Sequence, residues 1–262
     1  MSSLSMDITI NDINKLDIFT NLFQNIKLFT GSINIHCNKE RMYIQTMDTS
    51  KISIVDIMIP KEWFCSYHCD SPIVIGISTL IFYKLLSSRD KSQTMQLIYD
   101  IEEKDKLFVH MKSVKKTVFD RDFEAPLIDL DSELLSVPII EYEADIILPS
   151  LDFALLINQL RGFGETLQFV CNENHIEMIS KSIDSGKMSV SVEISNLSSF
   201  EIEEEKELNM SFSLSPLHNI CQFCKIFPEV DIKLHSEYPL YIRFKHEQLS
   251  ICFFLAPRIV EE

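Results

Sequence analysis

A chain of 262 residues with 24 lysines and arginines against 39 aspartates and glutamates carries a formal charge of −15, with 46 % hydrophobic and 24 % charged residues. That length points to one large domain or two ordinary ones, and the composition is that of a globular protein. The acidity disfavours a basic-surface nucleic-acid binder. No uncharged apolar run approaches the roughly 18 residues of a membrane helix. Five glycines without a G-x-G-x-x-G or P-loop pattern disfavour a nucleotide-cradling enzyme.

In chain order, the first residues show neither the basic nor the apolar region of a secretory signal, and the seven scattered cysteines read as reduced thiols, so an intracellular protein is expected. Ile18, Phe19, Leu22, Phe23, Ile26 and Phe29 recur at helical spacing and predict a first helix over 18–29. Alternating apolar residues then predict strands over 33–37, 42–47 and 52–59. A short helix is expected over 80–86, followed by strands over 96–101 and 106–111.

Pro126 and Pro138 bracket an acidic stretch with interleaved apolar residues, too apolar for a free linker. It is read as an extended surface connector that leaves Leu135 and Val137 near solvent. Beyond it, a helix is expected over 152–160 with Ser150 as N-cap. Strands follow over 166–171, 176–180, 188–194 and 209–214. A last helix is expected over 217–227, with Ser215 as cap and Pro216 in its first turn. Strands over 231–235, 240–245 and 249–255 complete the chain.

The order of elements repeats. Asp48-Thr-Ser-Lys51-Ile-Ser-Ile54 reappears as Asp184-Ser-Gly-Lys187-Met-Ser-Val190, and each copy follows a helix and two strands. This is the mark of duplication. It divides the chain into a domain over 1–126, a connector over 127–143 and a second domain over 144–262.

Four passages carry a family resemblance. Gln45-Thr-Met-Asp-Thr-Ser-Lys-Ile-Ser-Ile-Val55 resembles a Q-[ST]-M-D-x-[ST]-x-V-x-L-V segment. Phe64-Cys-Ser-Tyr-His-Cys-Asp70 resembles F-x-x-Y-x-C-D. Leu130-Asp-Ser-Glu-Leu-Leu-Ser-Val-Pro138 resembles L-D-x-E-x-L-x-[IV]-P, and Leu255-Ala-Pro-Arg-Ile259 resembles L-A-P-K-[IFM]. In this order and spacing they resemble the DNA sliding clamps of the proliferating cell nuclear antigen type, as a divergent eukaryotic or large-DNA-virus member.

The resemblance implies an α+β fold: two similar clamp domains per chain, with outer antiparallel sheets and four inner helices. It implies a homotrimeric ring around double-stranded DNA, and no catalytic site, metal or cofactor. The partners it implies are DNA polymerase, a clamp loader and clients bearing a Q-x-x-aliphatic-x-x-aromatic-aromatic peptide, with no membrane. The address would be the nucleus or a viral replication site. The rival expectation is a clamp-like subunit of a heterotrimeric checkpoint ring.

Carried over by motif, the peptide pocket falls on Met47, Lys51, Ile52, Leu135, Val137, Pro138, Pro239, Phe254, Ala256 and Pro257. Phe254 stands where many members have tyrosine, and Lys51 where histidine is common. DNA-facing residues would be Lys15, Lys27, Lys84, Arg161 and Lys225, with His218 as an addition. Leu155, Asn158 and Gln222 are neutral where a basic residue is usual. The trimer joint would set Phe123 against a facing edge carrying Met188, Val190 and Val192. Glu173 replaces a lysine that is commonly modified in eukaryotic members.

Two metal-like spacings are discounted. Cys221-x-x-Cys224 near His218 lies in an expected helix and lacks a second pair, and Cys65-x-x-x-Cys69 with His68 reads as buried or half-buried thiols. The acidic run over 201–207 reads as a solvated loop.

Overall fold

The computed structural model describes residues 4–113, 115, 117–131 and 133–259. The first half of the chain runs β1 (Leu4–Ile10), α1 (Ile13–Ile26), β2 (Ser32–Cys37), β3 (Arg41–Met47), β4 (Ser53–Pro60), β5 (Ser66–Cys69), β6 (Ile73–Ser78), α2 (Thr79–Leu86), β7 (Gln93–Asp100), β8 (Lys106–Ser113) and β9 (Arg121–Pro126). The second half runs β10 (Ala144–Pro149), α3 (Ser150–Leu160), β11 (Thr166–Asn172), β12 (His175–Ser182), β13 (Gly186–Val192), β14 (Ser199–Ile202), β15 (Leu208–Ser213), α4 (Leu214–Ile220), β16 (Glu229–Leu234), β17 (Leu240–His246) and β18 (Leu249–Leu255).

The duplication read from Asp48–Ile54 and Asp184–Val190 extends to the hydrogen-bond ladders. β1 pairs with β5 and β7, as β10 pairs with β14 and β16. β2 pairs with β3 and β6, as β11 pairs with β12 and β15. All these pairs are antiparallel. One five-stranded sheet has the order β5-β1-β7-β8-β9 and a four-stranded sheet the order β13-β12-β11-β15, so β9 and β13 are edge strands.

The backbone divides into two compact units. The first runs to Thr49 and includes Asp56–Leu135 and Glu247–Ser250; the second comprises Ser50–Val55, Ser136–His246 and the chain from Ile251. Each unit buries its own aromatic cluster. In the first, Phe23 meets Phe19 at 5.0 Å and Phe82 edge-on at 4.6 Å, which joins α1 to α2. In the second, Phe223 lies 5.2 Å from Phe253, and Phe227 lies 5.6 Å from Phe244. Such pairs add about 1 kcal/mol each beyond the area they bury.

The helix boundaries differ from expectation for local reasons. The first helix starts at Ile13, where the Asp12 carboxylate accepts a bond from the Lys15 N–H, and it ends at Ile26. Phe29 is buried just beyond it, which carried the apolar rhythm past the true end. Ser150 does not cap the third helix: Pro149 holds that position, and the Ser150 hydroxyl instead donates to the carbonyls of Cys224 and Phe227. The last helix is capped at Ser213, not Ser215, and it tightens into a 3₁₀ turn over Cys221–Lys225. Strands β1, β5, β6, β9, β10 and β14 were not expected.

One buried charge stabilises the start of β10. Glu143 is 7 % exposed and pairs with Lys206, while its oxygens accept from the Ser236 N–H at 2.7 Å and the Ser236 hydroxyl at 3.0 Å. Burial pushes its carboxyl up, but these partners, with His235, outweigh burial and hold it below its ordinary 4.5. A depressed carboxylate contributes stability above its unfolded value, and loses it as pH falls through the folded value. Glu143→Gln should therefore cost about 2 kcal/mol at neutral pH. Urea unfolding compared at pH 7 and in the acid range below the ordinary value should show the gap closing.

Candidate functional site

In the first unit, Met47 and Leu135 line one hollow of 390 Å³, walled by β2, β3 and the connector. The connector is fixed there by backbone and side-chain bonds. The Ile128 N–H donates to the Gly76 carbonyl at 2.8 Å. Asn34 Nδ2 donates to the Leu130 carbonyl at 3.0 Å. Gln45 meets both backbone groups of Leu135: its Nε2 donates to the carbonyl at 3.0 Å, and its Oε1 accepts from the N–H at 2.6 Å. Leu135 nevertheless leaves 44 % of its surface exposed.

In the second unit, the Ala256 N–H donates to the Ile52 carbonyl at 3.0 Å, so the two strands of sequence that carry these residues run together. Lys51 precedes them with φ 58°, a left-handed backbone that an L residue adopts only under local constraint. The Phe254 ring lies 5.2 Å from Tyr241, which lies 5.5 Å from Tyr142. Phe254, Val137 and Pro239 are half-buried, whereas Pro138, Ala256 and Pro257 are exposed. Past Pro257, the Arg258 N–H donates to Ser211 O at 2.7 Å and its guanidinium to Thr166 Oγ1 at 2.6 Å. This anchoring of the tail on β15 and β11 has no signal in the sequence, since an arginine in L-A-P-R-I names no acceptor.

The basic residues share a placement. Lys27 is the C-cap of α1, Lys84 lies in the last turn of α2, Arg161 is the C-cap of α3, and Lys225 ends the 3₁₀ turn after α4. Each sits at the negative end of a helix dipole, worth about 0.3–1 kcal/mol. Lys84, Arg161 and Lys225 are exposed, and the Lys27 ammonium sits 4.0 Å over the Tyr83 ring. Lys15 differs: its ammonium donates to the Trp63 carbonyl at 3.0 Å and pairs with Glu247 at 2.8 Å. His218 lies 2.7 Å from Asn158 Oδ1, and burial, then Arg161 and Lys225, pushes its ring below the ordinary value.

On β9, Phe123 stands opposite Val109 and is half-buried. On β13, Met188, Val190 and Val192 stand opposite Ser180, Met178 and Ile176. Val190 and Val192 also line a hollow of 230 Å³ with Leu148, Leu155, Leu156 and Leu197. The neutral Leu155, 55 % exposed, thus sits beside an open strand edge.

The cysteines are all free thiols; Cys69 is buried, but Cys65 is the one exposed cysteine, against the buried or half-buried thiol expected there. Burial pushes Cys171 up to about 12, and a bond to Cys224, then burial, raises Cys221. Among the described residues, no group of three His, Cys, Asp or Glu side chains is placed to hold a metal ion. No described helix is long and apolar enough to cross a membrane. Glu173 accepts a bond from the Glu205 N–H at 2.8 Å and so braces the acidic loop.

The described chain thus consists of two similar α+β halves, with the start of the connector held on β2, β3 and β6. Sequence profiles of the proliferating cell nuclear antigen N-terminal and C-terminal domains match residues 9–134 and 136–259. The chain belongs to the proliferating cell nuclear antigen family, whose members are non-enzymatic clamps of DNA replication and repair. It is 27 % identical over 255 residues to the proliferating cell nuclear antigen of Chaetomium thermophilum, covering 90 % of this chain and 93 % of that one. It is 24 % identical over 251 residues to that of Saccharomyces cerevisiae, covering 94 % and 96 %. The crystal structure of the Entamoeba histolytica proliferating cellular nuclear antigen superposes with a TM-score of 0.87 at 21 % identity, over 98 % of this chain and 100 % of that one.

Proposed function

We propose that this chain forms a homotrimeric ring that encircles duplex DNA and tethers a DNA polymerase and other replication and repair enzymes as a processivity factor. The observation that carries the reading is that β9, with Phe123, and β13, with Met188, Val190 and Val192, are both sheet edges, one in each unit. Two different edges make a heterologous, head-to-tail joint, which closes into a ring when the rotation permits. Phe123 supplies one side of the joint, and Met188, Val190 and Val192 supply the other. Size-exclusion chromatography with light scattering tests it. A mass near three chains of 30.4 kDa supports the ring. A lone chain sinks it, and assembly only with different related subunits would support the checkpoint alternative.

Within the ring, Lys27, Lys84, Arg161 and Lys225 make weak, sequence-independent phosphate contacts, whereas the Lys15 charge is taken up by Glu247. Topology retains the ring, so affinity can stay low enough for sliding. Alanine at the four contacting positions should leave loading on circular DNA intact and flatten the salt dependence of DNA binding. The slope falls by about 0.9 per lost contact. An unchanged slope would mean that these cations serve only the helix ends.

Clients bind through a Q-x-x-aliphatic-x-x-aromatic-aromatic peptide. Its anchors are Met47 and Leu135 in the first unit, and in the second Ile52, Phe254, Ala256 and Pro257, with Lys51, Val137, Pro138 and Pro239 beside them. Residues 127–143 act as the connector between domains 1–126 and 144–262. A clamp loader is the further partner. The relatives' name marks them as nuclear, and we propose the nucleus for this chain, with a viral replication site as the other fitting setting.

A further inference from the structure

We propose that Gln45, oriented by Asp56, is a positioning residue that clasps the connector and so sets the affinity for client peptides; this rests on the peptide-tethering reading above. Gln45 lines the same hollow as the anchors Met47 and Leu135. Its amide takes both backbone groups of Leu135, at 3.0 and 2.6 Å, as a neighbouring strand would. The two residues lie 90 positions apart in sequence.

The amide end that faces each group is fixed. Asp56 Oδ2 lies 3.4 Å from Gln45 Nε2, and a carboxylate can only accept, so the NH₂ end turns toward it. Asp56 is itself held by the Tyr43 hydroxyl at 2.5 Å. With Nε2 set, Oε1 is left to receive the Leu135 N–H. Asn34 repeats the grip upstream at the Leu130 carbonyl, and Gly76 does so at Ile128.

The clasp fixes backbone while leaving side chains free to bind. Leu134 and Leu135 keep 49 % and 44 % of their surface exposed on a segment with no helix or strand of its own. Ordering such a segment at the moment of binding would consume affinity, and ordering it beforehand saves that cost. Gln45 is therefore argued to act through Leu135.

The test uses the full-length protein and a fluorescent synthetic peptide with a Q-x-x-Leu-x-x-Phe-Phe core. Gln45→Leu should weaken peptide binding roughly tenfold, the worth of one or two net hydrogen bonds. The Leu135 amide should exchange with solvent correspondingly faster, while thermal midpoint and oligomeric mass stay as in the parent. Asp56→Asn, which no longer dictates the amide's orientation, should shift both readings the same way by less. Equal peptide affinity in Gln45→Leu overturns the proposal, as does unchanged Leu135 exchange. A fall in thermal midpoint with affinity unchanged would make Gln45 a structural staple only. If the parent protein itself fails to bind the peptide, the tethering reading fails, which is distinct from the parent binding and the variant matching it.

Discussion

Val190→Asp should convert the assembled protein into single chains. Val190 lies mid-way along the edge strand β13, half-buried, with its backbone registered to Met178 and its side chain in the leucine-lined hollow. In the proposed joint the facing strand would take the remaining solvent from this position. A carboxylate placed there would lose its water without gaining a partner, which costs several kcal/mol per joint. A closed ring has three such joints, so the penalty is repeated. Sedimentation equilibrium at micromolar concentration should show one species near 30.4 kDa. An undisturbed circular dichroism spectrum would show that the chain still folds, since the residue is only half-buried in the isolated chain. Phe123→Ala on the opposing edge should act in the same direction but more weakly, as it removes apolar area without adding a charge. An unchanged trimer in Val190→Asp at low concentration would place the joint elsewhere.

Gly76→Ala should be the most damaging single-carbon change in the first unit. A Cβ at Gly76 would stand 2.0 Å from the Ile128 carbonyl oxygen and 3.1 Å from its carbon, both backbone atoms. No rotamer change relieves such a clash, so either β6 or the start of the connector must move. Overpacking of this kind costs about 1–3 kcal/mol, and the Ile128-to-Gly76 hydrogen bond goes with it. The thermal midpoint should fall by several degrees. Proteolysis should become faster in the connector while the second unit stays resistant. Wild-type stability and wild-type proteolysis in this variant would rule out the close approach.

The sequence displayed most of the sheet and little of the site. Ile33–Cys37 alternates apolar and polar residues, and Met42 and Ile44 alternate on the buried face of β3, so β2 and β3 were legible. β9 was not, since Arg-Asp-Phe-Glu-Ala-Pro is polar at three of its first four positions, as an edge strand can be. β1 is hidden for a different reason: Leu-Ser-Met-Asp-Ile-Thr-Ile alternates, but it is short and its partners β5 and β7 lie about 60 to 90 residues away. Ser150 has the composition of an N-cap and none of the geometry, because its hydroxyl is spent on carbonyls 74 and 77 residues away. The same limit hides the clasp. Gln45 opens the Gln45–Val55 motif, yet nothing local says that its amide binds the backbone of Leu135. Lys27, Lys84, Arg161 and Lys225 belong to the set expected to face DNA, and only the helix boundaries place these four at C-terminal ends.

The distribution of thiols has a practical consequence. Six of the seven cysteines are buried or half-buried, and only Cys65, just before β5, is exposed. A maleimide dye under native conditions should therefore couple once per chain, without any cysteine having to be removed. In a symmetric ring labelled with a mixture of donor and acceptor dyes, the dyes would sit at the corners of an equilateral triangle and report a single pairwise transfer efficiency. An opened ring would split that one value into two, so the unaltered protein carries its own handle for watching a joint part.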